Sequence, residues 1–184
     1  MEEIVTVDNQ GILTGFKTKV TIQPHENKAV ELILVIIPEN KTLILFNRGA
    51  GSSDMHDHWA LQSGKVNRTD LADTDRIGKR LSDMAFRNAA KREFIEELNF
   101  SLSPDDLVAV EAFYMPAKRL YFGMYALPIS AKRFQELTPD QSELDQVSQF
   151  TIDEFRHCAG LGDAILFRKD RIIQYLQDTF RTTS

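Results

Sequence analysis

The chain has 184 residues, 42% of them hydrophobic, and 22 Lys and Arg against 27 Asp and Glu give it a formal net charge of −5. That size suits one domain with small additions and a sizeable core, and the acidic balance excludes a general nucleic-acid binder while leaving room for a local basic pocket. Cys158 is the only cysteine, so an internal disulfide is excluded and a reducing, cytoplasmic setting is expected. The acidic N-terminus has no apolar stretch of the secretory kind. The longest apolar run, Leu32 to Pro38, is too short to span a membrane.

Ile4 to Asp8 alternates and meets the turn signal Asn9-Gln10-Gly11, so Ile12-Leu13-Thr14 is expected to return as a short hairpin partner. Lys17 to Gln23 alternates as a half-exposed strand, and Pro24 to Asn27 breaks it. Leu32 to Ile37 is continuously apolar and rich in β-branched residues, which predicts a buried central strand. Pro38 to Lys41 turns, and Thr42 to Asn47 forms the next strand, ended by Arg48. Gly49 to Asp57 is small and polar and reads as a loop. At its end His56 and His58 have a His-x-His spacing that suits either a polar loop or a metal.

Asp83 to Leu98 is expected to be a helix, with Ser82 or Asp83 as its N-cap and Asn99 at the left-handed position that ends it. Phe86, Ala90, Phe94 and Leu98 recur every four residues on a face that can be buried. Glu93, Glu96 and Glu97 share another face at i, i+3 and i+4. Three carboxylates so placed repel one another by roughly 0.2–0.5 kcal/mol per pair. They form either a solvated acidic face or a site for a hard divalent cation.

Beyond the helix, Leu107 to Phe113 and Leu120 to Pro128 read as strands joined by the basic tip Pro116-Ala117-Lys118-Arg119. Ser130 to Glu136 reads as a short helix, Gln146 to Thr151 as a last strand, and Ile152 to His157 as a helical turn. Ile165, Ile172, Ile173, Leu176 and Phe180 mark a C-terminal amphipathic helix. Strands mixed with two substantial helices predict an α/β/α sandwich with a mixed β-sheet.

The run Arg92-Glu93-Phe94-Ile95-Glu96-Glu97-Leu98-Asn99-Phe100 resembles the second half of the Nudix box, Gly-x5-Glu-x7-Arg-Glu-U-x-Glu-Glu-x-Gly-U with U apolar. Trp59-Ala60-Leu61-Gln62-Ser63-Gly64-Lys65-Val66 resembles the Trp-x-Leu-Pro-Gly-Gly-Lys-Val that leads into it. Gly64 then stands for the first glycine of the box, although Gly78 fits by count alone. Arg92 lies twenty-eight residues after Gly64 where the box has fourteen, which implies a fourteen-residue insertion within Asn67 to Ser82, either a lid or a disordered loop. Counted back from Arg92, the middle Glu of the box falls on Met84, with Asp73 or Asp75 as replacements. Asp8-x-x-Gly11-x-x-x-Gly15 and the C-terminal helix resemble the isopentenyl-diphosphate isomerase-like branch.

The resemblance implies a single Nudix domain over residues 1–184, with an N-terminal β-extension over about 1–28 and a C-terminal helix over about 163–181. It implies an α/β Nudix fold and Mg²⁺- or Mn²⁺-dependent hydrolysis of a nucleoside diphosphate linked to a moiety X. Glu93, Glu96 and Glu97 with a carbonyl near Gly64 would bind the metal, and Arg92 would orient a Glu. Arg48, Lys65, Lys118 and Arg119 would meet a small phosphorylated substrate. The general base would be Glu93, Glu143 or Asp145. A homodimer is compatible with the sequence, and no membrane partner is expected. Two other readings are a diphosphate-binding module without hydrolysis and the isomerase itself. The isomerase needs a Cys-Gly-His run where Ser63-Gly64-Lys65 stands, and Glu31 and Leu32 occupy the place of its second metal-binding His.

Overall fold

The longest strand is the eleven-residue Asn27–Ile37, and its burial follows from its composition: every residue from Ala29 to Ile37 is buried. A strand covered on both faces has no need to alternate. Glu31, in the middle of this apolar run, is 0% exposed. The computed structural model describes residues 2–48, 58–142 and 144–182.

These residues form β1 (Glu3–Val7), β2 (Leu13–Thr18), β3 (Asn27–Ile37), β4 (Thr42–Arg48), β5 (Trp59–Ala60) and β6 (Gln62–Lys65). Then follow α1 (Asp83–Leu98), β7 (Val108–Met115), β8 (Leu120–Pro128), α2 (Ala131–Phe134), β9 (Leu144–Thr151), α3 (Ile152–His157) and α4 (Asp163–Thr182). The fold is α/β with a mixed sheet, as the sequence predicts. The chain packs as two compact units. One comprises Met1–Leu32, Ser63–Glu93 and Leu102–Tyr125; the other comprises Ile33–Gln62, Phe94–Ser101 and Ala126–Ser184.

In the first unit β1 pairs antiparallel with β2, from Glu3 opposite Thr18 to Val7 opposite Leu13, and with the start of β3 at Thr6–Lys28 and Val7–Asn27. The Asp8 carboxylate accepts from the Gln10 and Ile12 amides and shapes the hairpin turn. Gly11 sits there at φ +79°, and a Cβ on it would lie 2.5 Å from the Tyr121 ring. The returning strand is longer than the expected Ile12–Thr14. The alternating stretch Lys17 to Gln23, by contrast, is not a strand beyond Thr18. The amides of Thr21 and Ile22 turn back to the Thr18 carbonyl, and a hydrogen-bonded turn replaces sheet pairing.

The segment between Asp70 and α1 is neither a lid nor a loose loop. It is a strap clipped along the first hairpin. The Leu13 amide donates to the Lys79 carbonyl, Gly78 to Leu13, and Leu81 to Gly11. Asp75, buried, holds the strap's own shape by accepting from the Ala72 amide, the Ser82 amide and the Ser82 hydroxyl. Ser82 in turn accepts from the Ala85 amide and caps α1. Helix α1 runs over the predicted sixteen residues. It ends at Asn99 with φ 47°, the left-handed stop expected of an Asn. Phe86, Ala90, Phe94 and Leu98 are all buried.

In the second unit β4 pairs antiparallel with the end of β3 at Val35–Ile44, with β5 at Phe46–Ala60, and with β9 along its whole length. Trp59 is a packing residue rather than an open platform. It bridges to Leu161, exchanges backbone bonds with Gly160 and Gly162, and meets Phe150 edge-on at 5.1 Å. The amphipathic C-terminal stretch is α4, which buries Ile165, Ile172, Leu176 and Phe180.

Asp75→Ala leaves three donors without their acceptor. We expect it to lower stability by about 2 kcal/mol in denaturant titration. It should also open the strap to trypsin at Arg76, Lys79 and Arg80, read as early cleavage of an otherwise folded chain.

Candidate functional site

Two carboxylates from distant parts of the first unit converge on Gly64. Glu31 of β3 accepts a 2.6 Å hydrogen bond from the Gly64 amide through Oε2. The Glu93 side chain from α1 lies against the same glycine, so closely that a Cβ there would collide with it. A residue with a side chain would displace Glu93, which is the physical reason for a glycine at this point. Gly78, the rival by count, has open space around it.

Arg92 secures this arrangement. Its Nε donates to Asp70 Oδ1 at 3.1 Å and its Nη2 to Asp70 Oδ2 at 3.0 Å, the fork geometry that a guanidinium offers a carboxylate. Nη1 donates to Glu93 Oε1 at 2.7 Å, and Nη2 also reaches the Lys65 carbonyl at 2.9 Å. Burial would lower the guanidinium's pKa, but Asp70 and Glu93 more than offset this and hold it above its ordinary range.

Asp70 corrects the reading of the box. Its spacing Gly-x5-Glu, counted forward from Gly64, ends on Asp70, because 70 − 64 is 6. In the pattern that the run resembles, the place of the middle acid is then held by Asp70. Met84, reached by counting backward, is 40% exposed and takes no part. All fourteen extra residues (28 − 14) lie between Asp70 and Arg92. Asp75 belongs to the strap and Asp73 is exposed, so neither substitutes. Counting from the glycine as well as from the arginine finds Asp70 in the sequence.

Glu31 has only an indirect sequence signal, the single charge within the apolar run Ala29 to Ile37. Its Oε1 is buried without a hydrogen-bond partner among the described residues. Burial first, and the Glu93 charge second, push its pKa well above the ordinary 4.5, against the pull of the Gly64 amide and Arg92. Asn88, on the same helix, donates to the Asp70 carbonyl and ties the turn at Arg68–Asp70 to α1.

In the second unit Glu97 accepts from Gln62 Nε2 at 2.7 Å, and its carbonyl takes the Asp140 amide. Glu96 is exposed on α1. Lys65 follows Gly64 directly. Its ammonium is held below the ordinary pKa by desolvation first and then by Lys28 and Lys19, with Glu2 and Glu93 opposing. Arg119 stands at the β7–β8 turn at φ 53° and donates to the His25 carbonyl, and Lys118 precedes it in the same turn. Asp145 is exposed. Arg48 ends β4, and its side chain, like Glu143 and His56, lies outside the described residues; His58 is described and exposed.

Among the described residues no three His, Cys, Asp or Glu side chains are gathered closely enough to hold a metal ion. Glu93 is turned to Arg92, and Glu97 to Gln62. The donor chemistry nevertheless suits a hard divalent cation. It consists of carboxylate and carbonyl oxygens, with Glu31 Oε1 buried beside Glu93 and without a hydrogen-bond partner among the described residues.

No family model matches the chain, and no curated protein matches it. Solved structures do. DR0079 from Deinococcus radiodurans aligns with TM-score 0.64 at 15% identity, covering 92% of this chain and 98% of that one. A MutT NUDIX hydrolase from Burkholderia pseudomallei aligns with TM-score 0.55 at 14% identity, covering 79% of this chain and 98% of that one. A MutT/nudix family protein from Enterococcus faecalis aligns with TM-score 0.51 at 16% identity over 70% of this chain, which spans 45% of that protein's length. At these identities the likeness is one of fold, and the fold is that of Nudix/MutT structures.

Asp70→Ala should cost about 3 kcal/mol in denaturant titration, because the part-buried Arg92 would lose its forked pair and keep only Glu93 as a carboxylate partner. Met84→Glu should leave stability within about 0.5 kcal/mol of the parent and should not rescue Asp70→Ala. Glu31→Gln retains an acceptor for the Gly64 amide but cannot ionise. A carboxyl with a raised folded pKa loses stability as pH climbs from its unfolded value, near 4.5, through the folded one. Denaturant titrations without divalent cation should therefore show parent stability falling across that window and Glu31→Gln holding level.

Proposed function

We propose that this chain is a Nudix-type hydrolase that cleaves the diphosphate linkage of a small molecule, a nucleoside diphosphate joined to another moiety, with Mg²⁺ or Mn²⁺. The observation that carries the reading is the closed set Gly64, Glu93, Arg92 and Asp70, in which the glycine makes room for the glutamate and the arginine orients it against an aspartate. A structural salt bridge alone needs no glycine under the glutamate.

Glu93, Glu96 and Glu97, at i, i+3 and i+4 of α1, with a carbonyl near Gly64, would hold the cation. Bound there, it supplies Lewis acidity toward phosphoryl oxygens and a lower pKa for a coordinated water. Arg92 keeps Glu93 in place. Lys65, Lys118, Arg119 and Arg48 supply positive charge for the phosphates. Burial first, and then Lys28 and Lys19, depress the pKa of Lys65, and an arriving phosphate would favour its charged form. Glu93, Asp145 or Glu143 takes the proton from the attacking water.

A second reading, a diphosphate-binding module without turnover, draws on the Glu93 carboxylate being engaged by Arg92 and on the absence of a three-ligand cluster among the described residues. The two separate by experiment. With Mg²⁺ and a panel of ADP-ribose, dinucleoside polyphosphates and nucleoside triphosphates, hydrolysis of at least one member is expected, and Glu97→Gln should abolish it. Full activity in Glu97→Gln would remove the carboxylate face from the site. Thermal stabilisation by a panel member without any product would establish the binding module instead. Conversion of isopentenyl to dimethylallyl diphosphate would overturn both.

A further inference from the structure

Gln62 is fully buried, and it stands where the run resembling Trp-x-Leu-Pro-Gly-Gly-Lys-Val has proline. Proline has no side-chain donor. A buried primary amide is costly unless its polar atoms are paired, and here only half of it is. Nε2 donates to Glu97 Oε2 at 2.7 Å, a length typical of a charge-assisted bond, while Oε1 is buried with no partner among the described residues. The orientation is set by charge. Turning the amide over would bring its oxygen against a carboxylate oxygen, which is repulsive while Glu97 is ionised.

We infer that Gln62 is a positioning residue for Glu97: its amide holds the carboxylate in one orientation. The inference rests on the reading that Glu97 is a cation ligand. An amide that served only the core would be expected to have both ends satisfied, since an orphaned acceptor costs about 1–3 kcal/mol. Residues that hydrogen-bond to metal ligands orient them and raise affinity without touching the ion. Gln62 has that relation to Glu97.

The test uses Mn²⁺ alone as the probe, titrated by electron paramagnetic resonance, with thermal unfolding in the absence of divalent ions as the control. Gln62→Met keeps the length and removes both polar atoms. It should weaken Mn²⁺ binding by about tenfold or more, while the cation-free midpoint stays level or rises because the orphaned acceptor is gone. Gln62→Asn, which withdraws the donor by one methylene, should weaken Mn²⁺ likewise. If Gln62 acts through Glu97, the double variant Gln62→Met, Glu97→Gln should bind no more weakly than Glu97→Gln alone. Parent-like Mn²⁺ affinity in both Gln62 variants, or additive losses in the double variant, would overturn the inference and leave the cation site standing. Absence of Mn²⁺ binding by the parent would remove the cation site and the inference with it.

Discussion

The guanidinium of Arg92 has five N–H donors in one plane, and their engagement organises the site. Two of its nitrogens grip Asp70, one of these also reaches the Lys65 carbonyl, and the third nitrogen reaches Glu93. The stretch between Gly64 and Asp70 is thereby tied to α1, and Glu93 is kept over the glycine. An exposed pair of this kind contributes only about 0–1 kcal/mol. Here the Asp70 side chain is 5% exposed and that of Arg92 21%, so either charge left alone would be poorly hydrated. A lysine in its place could not present the same fork.

Around that anchor the electrostatics are unresolved in both signs. Glu31 and Glu93 both approach Gly64, and Glu31 Oε1 has no hydrogen-bond partner among the described residues. The Lys65 ammonium is disfavoured by burial first and then by Lys28 and Lys19. Folding alone favours neither arrangement, since each stores repulsion that apolar or paired residues would avoid. Such perturbed groups cluster where a ligand of opposite charge completes the balance.

The strap over residues 71–82 separates the Gly64–Asp70 stretch from the Arg92-Glu93 run. Asp75 with Ser82 folds it into a self-bonded segment that runs back along the hairpin. Read from the arginine end alone, the sequence places the middle acid at Met84. That position faces solvent because the α1 register sends Ala85 and Phe86 inward instead.

What the sequence determined by itself was whatever depends on near neighbours. The bounds of α1, its stop at Asn99, the buried row Phe86, Ala90, Phe94 and Leu98, the shared face of the glutamates and the amphipathic α4 all follow from periodicity and capping over a few residues. The continuous apolar run also announced β3 as a buried strand. Only the tertiary structure decided which distant groups meet. Glu31 lies thirty-three positions from the Gly64 amide that it accepts from, Asp70 twenty-two from Arg92, and Gln62 thirty-five from Glu97. Those pairings depend on strand register and on where α1 docks, and a carboxylate or amide looks the same in sequence whether its partner is water or a buried amide. The hydrophobic pattern places the elements; which of their polar side chains find partners is settled only when the elements pack.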